Sequence, residues 1–305
     1  MRIVYLGTPD FAVAPLKKLV ECGYEIVAVV TNKDKPVGRK KVLTPPPVKQ
    51  FALDNGIEVY QYDKIRIEGV EDLKRIQPDL MITCAFGQIL SQEILDIPKY
   101  GVINIHASLL PKYRGASPIH FAILNGEKTT GITIMKTDVG IDTGDMILQK
   151  SIDILEGETC GELFDRLSLL GADCIIEGLK LLENDEIVLK KQPDEDATFT
   201  KIIKKEMAEI DWSNSAINVY NQIRAFNPAP VAFTLVGGLP FKIYKASVVE
   251  MKGQAGYVLE SEGRLVVACG VDALSLEIVQ KAGGNAMPIK DFLRGNKFTV
   301  GEKFN

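Results

Sequence analysis

Short, continuous apolar runs alternate with amphipathic stretches along the first half of the chain. Between residues 11 and 22 the apolar positions recur at helical spacing and stop at Gly23, which predicts a helix. Apolar runs without alternation are typical of parallel strands that are covered on both faces. Runs of this kind are Arg2–Leu6, Ile26–Thr31, Leu80–Cys84 and Val102–Ile105. The pattern predicts an α/β fold, a doubly wound Rossmann-like domain with its ligand outside the carboxyl ends of the strands.

The pattern changes near residue 190. Two more strand candidates, 132–137 and 146–154, and a long helix over 160–182 complete the first domain. The segment 192–198 (QPDEDAT) has almost nothing apolar to bury, which predicts a linker. We expect a first domain over residues 1–189, a linker over 190–207 and a C-terminal domain over 208–305.

The C-terminal part begins with a short helix over 216–225 and continues with apolar runs separated by glycine or polar turns. Closely spaced short strands of this kind are typical of a small β-barrel. The runs are Ala232–Leu235, Phe241–Val249, Gly256–Leu259, Leu265–Ala268 and Leu274–Val279. We therefore expect a small OB-like β-barrel domain after the α/β domain.

Composition narrows the class of protein. The 305 residues are 46% hydrophobic and 25% charged, a globular mixture that excludes collagen-like, disordered and disulfide-scaffold proteins. No stretch approaches the ~20 apolar residues of a membrane-spanning helix. The five cysteines are widely spaced without a CxxC pair, so neither a disulfide framework nor a zinc site is indicated. We expect a soluble, cytoplasmic protein with reduced thiols, no metal, and no implied membrane or obligate protein partner.

The charge distribution changes this picture. A net charge of −4 argues against a polyanionic partner, yet residues 201–305 carry 13 Lys or Arg against 10 Asp or Glu. The segment 31–49 has six basic residues against the single Asp34, together with four prolines. One interpretation is a solvated, proline-stiffened loop without a partner. The other is an insertion that holds a polyanion beside the ligand edge of the sheet.

Candidate chemistry is concentrated between residues 101 and 145. Asn104 and His106 are two apart on an extended segment, so their side chains point to the same side. The glycine-rich turn 138–145 (DVGIDTGD) brings three aspartates into one short loop, with Asp142 at its centre. An asparagine, a histidine and an aspartate that converge would form an amide donor, a proton carrier and an orienting carboxylate.

Each of these features also has a purely structural interpretation. His106 alone is compatible with a hydrogen-bonded core histidine, and packing is the expected role of His120, which lies in an apparently helical stretch. The three aspartates resemble a calcium loop, but they lack the glutamate that closes an EF-hand. The first strand is followed by GTPDF instead of GxGxxG, so a dinucleotide site is not predicted.

The segment 104–115 (NIHASLLPKYRG), followed by the turn 138–145, resembles the 10-formyltetrahydrofolate-dependent formyltransferases. Within that family, GTPDF at 7–11, the basic insertion and a C-terminal barrel are similar to the branch that formylates initiator methionyl-tRNA. The resemblance implies 10-formyltetrahydrofolate as formyl donor, initiator methionyl-tRNA as acceptor and no metal. It also implies that Asn104, His106 and Asp142 are the catalytic trio.

The resemblance further implies two binding surfaces. The family encloses the folate with segments that here comprise Phe86, Gly87, Gln88, Ile89, Leu90, Ser108, Leu109, Leu110, Pro111, Asp138, Val139, Gly140 and Ile141. Its insertion contacts the tRNA acceptor end, here through Lys33, Lys35, Arg39, Lys40 and Lys41. This chain departs from the family at Lys40, where glycine is common, and at Ala229, where tryptophan is frequent.

Two alternative functions stay open at this point. The trio handles the formyl donor and the tetrahedral centre, so it is equally compatible with transfer to a small amine or with hydrolysis of the formylated folate. The basic insertion favours tRNA, because a small acceptor needs no such surface. A non-catalytic RNA- or folate-binding protein is a different class, and the intact trio argues against it.

Overall fold

A computed structural model describes residues 1–38 and 40–304 and divides the chain into two compact units. The first unit comprises residues 1–118, 129–153 and 164–200; the second comprises 119–128, 154–163 and the chain from residue 201. Each unit is thus built from separate stretches of sequence. The domain limits that we predict at residues 189 and 207 stay predictions.

The elements up to residue 200 alternate between strands and helices. The strands are β1 (Arg2–Gly7), β2 (Glu25–Thr31), β3 (Lys35–Val37), β4 (Val42–Thr44), β5 (Val59–Gln61), β6 (Leu80–Cys84), β7 (Val102–His106), β8 (Arg114–Gly115), β9 (Thr129–Lys136), β10 (Met146–Asp153) and β11 (Phe199–Thr200). The helices are α1 (Val13–Glu21), α2 (Pro47–Asp54), α3 (Ile65–Glu68), α4 (Val70–Ile76), α5 (Gln92–Leu95), α6 (Pro118–Leu124) and α7 (Cys160–Glu183).

Seven of the described strands form one sheet in the order β10-β9-β7-β6-β1-β2-β5. Five neighbouring strands run parallel, in the spatial order β7-β6-β1-β2-β5. At one edge of the sheet, β9 pairs antiparallel with both β7 and β10. The central strands β1 and β6 are almost entirely buried, as their continuous apolar sequences require. The strand order reverses between β1 and β6, and ligands of doubly wound sheets bind outside the carboxyl ends of the strands at such a point. The predicted α/β fold is confirmed.

The second unit contains a curled antiparallel sheet. Its elements after residue 200 are α8 (Ala216–Ala225), β12 (Phe233–Val236), β13 (Leu239–Val249), β14 (Val258–Glu260), β15 (Leu265–Ala268), β16 (Ala273–Lys281), β17 (Met287–Pro288) and α9 (Ile289–Gly295). The order β12-β13-β16-β15-β14, with β17 on β16, forms a half-barrel around an apolar core. Phe241 packs there against Phe292, Phe298 and Phe304. The predicted small OB-like β-barrel domain is confirmed as a curled, antiparallel half-barrel.

Among the described residues, no helix has the length and apolarity that crossing a bilayer requires. The five cysteines are unpaired, and only Cys22 is exposed.

Candidate active site

Asn104 and His106 lie on β7, near the centre of the sheet. Their neighbours across the sheet are Thr83 on β6 and Thr133 on β9. Ile103 and Ile105, which alternate with them along β7, are buried on the opposite face, as the two-residue period of a strand requires. Asn104 and His106 therefore point to the same side of the sheet, as predicted.

The carboxylate of Asp142 joins these two side chains. Its Oδ1 accepts a hydrogen bond from Asn104 Nδ2 at 3.3 Å, and its Oδ2 lies 3.5 Å from His106 Nδ1. Oδ2 also accepts the backbone N–H of Gly115 at 2.8 Å. Asn104 Oδ1 in turn accepts the hydroxyl of Thr83 at 3.0 Å, which determines which end of the amide faces Asp142. The structure thus brings the three predicted catalytic side chains into one contact cluster.

His106 is held at both ring nitrogens. Its Nε2 lies 3.0 Å from the carbonyl oxygen of Tyr113, and its Nδ1 faces the Asp142 carboxylate. Both neighbours are acceptors, so both nitrogens donate at once only when the ring is protonated. The His106 side chain is 6% exposed and that of Asp142 is 18% exposed, so the pair is shielded from water on most sides.

The turn 138–145 gives Asp142 its position. Asp142 has φ +53°, a left-handed conformation that Asp and Asn adopt more readily than most residues. Asp138 Oδ1 accepts the N–H of Gly140 at 3.0 Å and the hydroxyl of Thr143 at 2.7 Å, which ties the turn to itself. A Cβ at Gly144 would lie 1.9 Å from the carbonyl oxygen of Lys136, so only glycine fits there.

In the first predicted folate segment, Phe86 to Leu90, several side chains are buried or hydrogen-bonded within the protein. Phe86 and Leu90 are buried, and the Gln88 amide bonds Asn32 Oδ1 at 2.7 Å. Ile89 is 69% exposed and extends into solvent. This segment therefore offers an anchored backbone and one exposed apolar side chain.

The second predicted folate segment, Ser108 to Pro111, is hydrogen-bonded to β9. The Ser108 hydroxyl donates to the carbonyl of Lys112 at 2.7 Å, while the Thr133 hydroxyl donates to the Ser108 carbonyl at 2.7 Å. Leu110 N–H donates to the same Thr133 hydroxyl oxygen at 3.2 Å. In the third segment, Asp138 to Ile141, the side chains of Val139 and Ile141 are exposed. Two exposed apolar side chains thus precede Asp142 in the sequence.

The basic insertion contains a small hairpin, in which β3 pairs antiparallel with β4. Lys49 Nζ bonds the Asp34 carboxylate at 2.8 Å and Gln61 Oε1 at 2.8 Å, which anchors the base of the hairpin. Lys33 pairs with Asp63 at 2.5 Å. Within the described part of the chain, none of the exposed lysines of the hairpin pairs with a carboxylate; they are Lys35, Lys40 and Lys41. Arg39 lies outside the described residues.

The four buried cysteines are poor candidates for a nucleophile. Burial raises the pKa of the Cys84, Cys160 and Cys269 thiols to about 12 and that of Cys174 to about 11. The thiolate is the nucleophilic form, so these thiols are unreactive at neutral pH. Among the described residues there is also no group of three or more His, Cys, Asp or Glu side chains arranged to hold a metal ion.

Several residues of the site were not among the predicted ones. Tyr113 contributes a carbonyl and Gly115 an N–H, and both belong to the motif that carries the family resemblance. Gln192 donates from Nε2 to the carbonyl of Asp142 at 2.8 Å and accepts from Arg114 Nε at 2.9 Å. Backbone groups have no sequence signature. Gln192 lies in the polar segment 192–198, whose composition predicts a linker, so nothing in the sequence indicates that Gln192 belongs in the site.

Known proteins resemble this chain in both of its parts. Residues 1–179 match the formyl transferase family, and residues 202–297 match the formyl transferase C-terminal domain. The chain is 47% identical over 307 residues to a protein of Acetivibrio thermocellus named methionyl-tRNA formyltransferase, covering 99% of each chain. A protein of the same name from Bacillus subtilis is 47% identical over 306 residues, covering 99% of this chain and 96% of the other.

A solved structure shares the fold at lower sequence similarity. It is an N-formyltransferase from Helicobacter canadensis in complex with folinic acid and dTDP-3-aminofucose, with a TM-score of 0.69 at 22% identity. The match covers 92% of this chain and 98% of the other. With both domains matched and full-length relatives above 45% identity, this chain belongs to the formyl transferase family.

Proposed function

We propose that this protein transfers the formyl group of 10-formyltetrahydrofolate to the α-amino group of initiator methionyl-tRNA. The observation that carries the proposal is the contact of the Asp142 carboxylate with both Asn104 and His106. The full-length relatives named methionyl-tRNA formyltransferase support the choice of substrates. The unpaired cysteines agree with a reducing compartment, and we propose that the protein acts in the cytoplasm.

The reaction is an acyl transfer without a covalent enzyme intermediate. The neutral α-amino nitrogen attacks the formyl carbon, forming a C–N bond and a tetrahedral oxyanion. Collapse of this centre breaks the bond to N10 of the folate, and the proton lost by the amine is returned to N10. An α-amino group has a pKa of about 7.7 to 8.0 in peptides, so part of it is neutral at physiological pH.

Asn104 stabilises the oxyanion. Its Oδ1 is occupied by the Thr83 hydroxyl, so its Nδ2 faces the site and directs one hydrogen towards Asp142. The same amide nitrogen carries a second hydrogen that can donate to the oxyanion. A donor that is already oriented lowers the barrier because it needs no reorganisation as charge develops.

His106 and Asp142 act as a proton-handling pair. The carboxylate is positioned to stabilise a protonated ring, because its Oδ2 lies 3.5 Å from Nδ1. The pair takes up the proton that the amine loses and returns it to N10. Shielding of both side chains from water strengthens their electrostatic interaction.

We propose that the folate lies against the segment 86–90, which follows β6, and against the turn 138–145. Three exposed apolar side chains, Ile89, Val139 and Ile141, support this proposal, since a pterin ring needs apolar surface beside its polar contacts. The hydrogen bonds of Ser108 to Lys112 and Thr133 hold the backbone of the segment 108–111 in place.

We propose that the hairpin holds the acceptor end of the tRNA. Its exposed lysines are available for phosphate, whereas Lys49 is committed to the anchor at the base and Lys33 to Asp63. Unpaired cations on a short anchored hairpin can neutralise phosphates with little rearrangement of the chain.

Formyl incorporation from labelled 10-formyltetrahydrofolate tests the proposed function. Initiator methionyl-tRNA, uncharged tRNA, free methionine and a reaction without acceptor are compared. We expect incorporation only with methionyl-tRNA. Equal incorporation into free methionine would reject tRNA as the acceptor, and release of formate without acceptor would identify a hydrolase.

Replacing Arg39, Lys40 and Lys41 together with alanine is expected to lower kcat/KM for methionyl-tRNA about tenfold at low salt. Each lost phosphate contact also reduces the slope of log(kcat/KM) against log(salt), so three contacts should make it shallower by about 2. The affinity for folate should not change. Steady-state kinetics over a salt series measures both effects.

A triple variant that removes the same charge elsewhere controls for bulk electrostatics. Lys17, Lys99 and Lys180 are exposed and lie outside the hairpin. Their replacement with alanine should leave the salt slope unchanged. An equal change of slope in both triple variants would contradict a specific role of the hairpin.

A further inference from the structure

We propose that Gln192 is a positioning residue for Asp142 and that Arg114 holds Gln192 in place. This inference rests on the proposed function, because it assigns a role in formyl transfer to a side chain outside the trio. It concerns the polar segment that begins at residue 192, whose composition predicts a linker.

The Gln192 side chain clamps the turn that carries Asp142. Its Nε2 donates to the carbonyl oxygens of Asp142 and Gly144, both at 2.8 Å. One amide nitrogen therefore uses both of its hydrogens on two carbonyls that are two residues apart. Gln192 is 8% exposed, so water does not compete easily for these carbonyls.

Arg114 determines the orientation of the Gln192 amide. Its Nε donates to Gln192 Oε1 at 2.9 Å, so the oxygen faces the guanidinium and the nitrogen faces the turn. Arg114 is 3% exposed, and its Nη2 also pairs with Asp194 at 2.9 Å. A buried guanidinium that donates both to an amide oxygen and to a carboxylate has a defined orientation.

The residues on either side of Arg114 contact the trio directly. The carbonyl of Tyr113 accepts from His106 Nε2, and the N–H of Gly115 donates to Asp142 Oδ2. Asp142 is consequently held at its carboxylate by Gly115 and at its own carbonyl by Gln192. Holding both ends limits rotation of a residue whose φ of +53° is unusual for a non-glycine residue.

The chain after Gln192 completes the support. β11 pairs with β8, and the Thr198 hydroxyl accepts the N–H of Tyr113 at 2.8 Å. A Cβ at Gly115 would lie 2.6 Å from the carbonyl oxygen of Thr200, so the two strands can approach only because residue 115 is glycine. The segment 192–200 thus forms one wall of the proposed catalytic apparatus.

The change Gln192→Glu tests this inference, because it keeps the size of the side chain but replaces the donating NH2 with an oxygen. Two carbonyls would then face a carboxylate, and the turn should lose its fixed position. We expect kcat for formyl transfer to fall on the order of tenfold to a hundredfold, with KM for folate and for methionyl-tRNA changed less than about threefold.

The matched control is Gln222→Glu in the second unit. Gln222 Nε2 also donates to two backbone carbonyls, those of Met207 and Glu209, both at 2.9 Å. Its replacement should lower the melting temperature to a similar extent but leave kcat at the wild-type value. Loss of kcat in proportion to loss of stability in both variants would overturn the positioning role.

Combination with Asp142→Asn separates positioning from a merely structural effect. If Gln192 acts through the Asp142 carboxylate, Gln192→Glu should lower kcat no further in a chain that already carries Asp142→Asn. Losses that multiply in the double variant would overturn the inference. If Gln192→Glu does not fold, Arg114→Lys, which keeps the charge but removes the Nε donor, serves the same comparison.

The outcome also distinguishes this inference from the proposed function. Wild-type protein that fails to formylate methionyl-tRNA would reject the function itself. Wild-type activity with loss of activity in Asp142→Asn, together with a folded Gln192→Glu whose kcat is within twofold of wild type, would reject only the role of Gln192.

Discussion

Replacing His106 with alanine is expected to lower kcat for formyl transfer by about 10²- to 10⁴-fold, the usual contribution of a positioned acid or base. The change removes the ring that contacts both the Asp142 carboxylate and the Tyr113 carbonyl. The Tyr113 N–H still donates to the Thr198 hydroxyl and the Arg114 N–H to the Thr198 carbonyl, so the fold should persist. Affinity for tRNA should change much less, since the proposed tRNA surface lies on the hairpin. Single-turnover kinetics and a separate tRNA-binding measurement test both parts.

The second histidine supplies the control. His120 lies in α6, where burial lowers its pKa, and its ring packs near Phe226. His120→Ala should affect stability more than kcat. Added imidazole should partly restore the rate of His106→Ala, because the lost ring leaves a cavity beside Asp142. Near wild-type transfer by folded His106→Ala would refute the assignment of the proton carrier.

Replacing Asp142 with asparagine is expected to lower kcat to a similar degree, about 10²- to 10⁴-fold. The substitution keeps the size of the side chain, and asparagine tolerates the left-handed φ of +53°. The carboxylate faces donors from Asn104 and Gly115 and the Nδ1 of His106. An amide that turns its NH2 towards any of these donors loses a hydrogen bond, and the negative charge beside the ring is lost in either orientation.

The control for Asp142→Asn matches its backbone conformation. Asp185 also has a left-handed φ, of +58°, and is exposed after α7. Asp185→Asn should therefore leave both stability and kcat unchanged. Thermal unfolding of Asp142→Asn should show a folded protein, so that loss of rate reports on chemistry. A folded Asp142→Asn with kcat within threefold of wild type would exclude an essential carboxylate at this position.

The effects of His106→Ala and Asp142→Asn are expected not to be independent. Because the His106 ring and the Asp142 carboxylate face each other at 3.5 Å, the double variant should lose little more than the worse single variant. Multiplied losses would instead indicate that the two side chains act on separate steps.

Periodicity was a reliable guide to the elements that bury apolar surface. The helix predicted over 216–225 has those bounds in the structure, and the strand predicted over 80–84 is β6. The exposed hairpin of β3 and β4 was not predicted, because lysine, proline and a few exposed apolar residues carry no period. Short edge elements such as β5 have the same weakness, since three residues are too few for a pattern.

The candidate site divides in the same way. Asn104 and His106 share one side of a strand, which a two-residue spacing alone predicts. Asp142 lies 38 positions after Asn104 and 36 after His106. Its distance from these side chains depends on how the turn 138–145 folds back onto β7, and residue spacing does not predict that fold. The family resemblance bridged this gap for the trio, whereas the Tyr113 carbonyl and the Gly115 N–H had no signature in the sequence.

The sequence by itself determined the α/β class and the strand-rich C-terminal part, and through the family resemblance it predicted the three side chains of the trio. The fold class follows from local periods, whereas the trio follows from the family resemblance of two separate segments, 104–115 and 138–145. Only the tertiary structure brought Gln192 and Arg114 to the turn that carries Asp142. The physical reason is that their contacts join segments about 50 and 80 residues apart through backbone carbonyls and one buried amide, and such pairings exist only once the chain has folded.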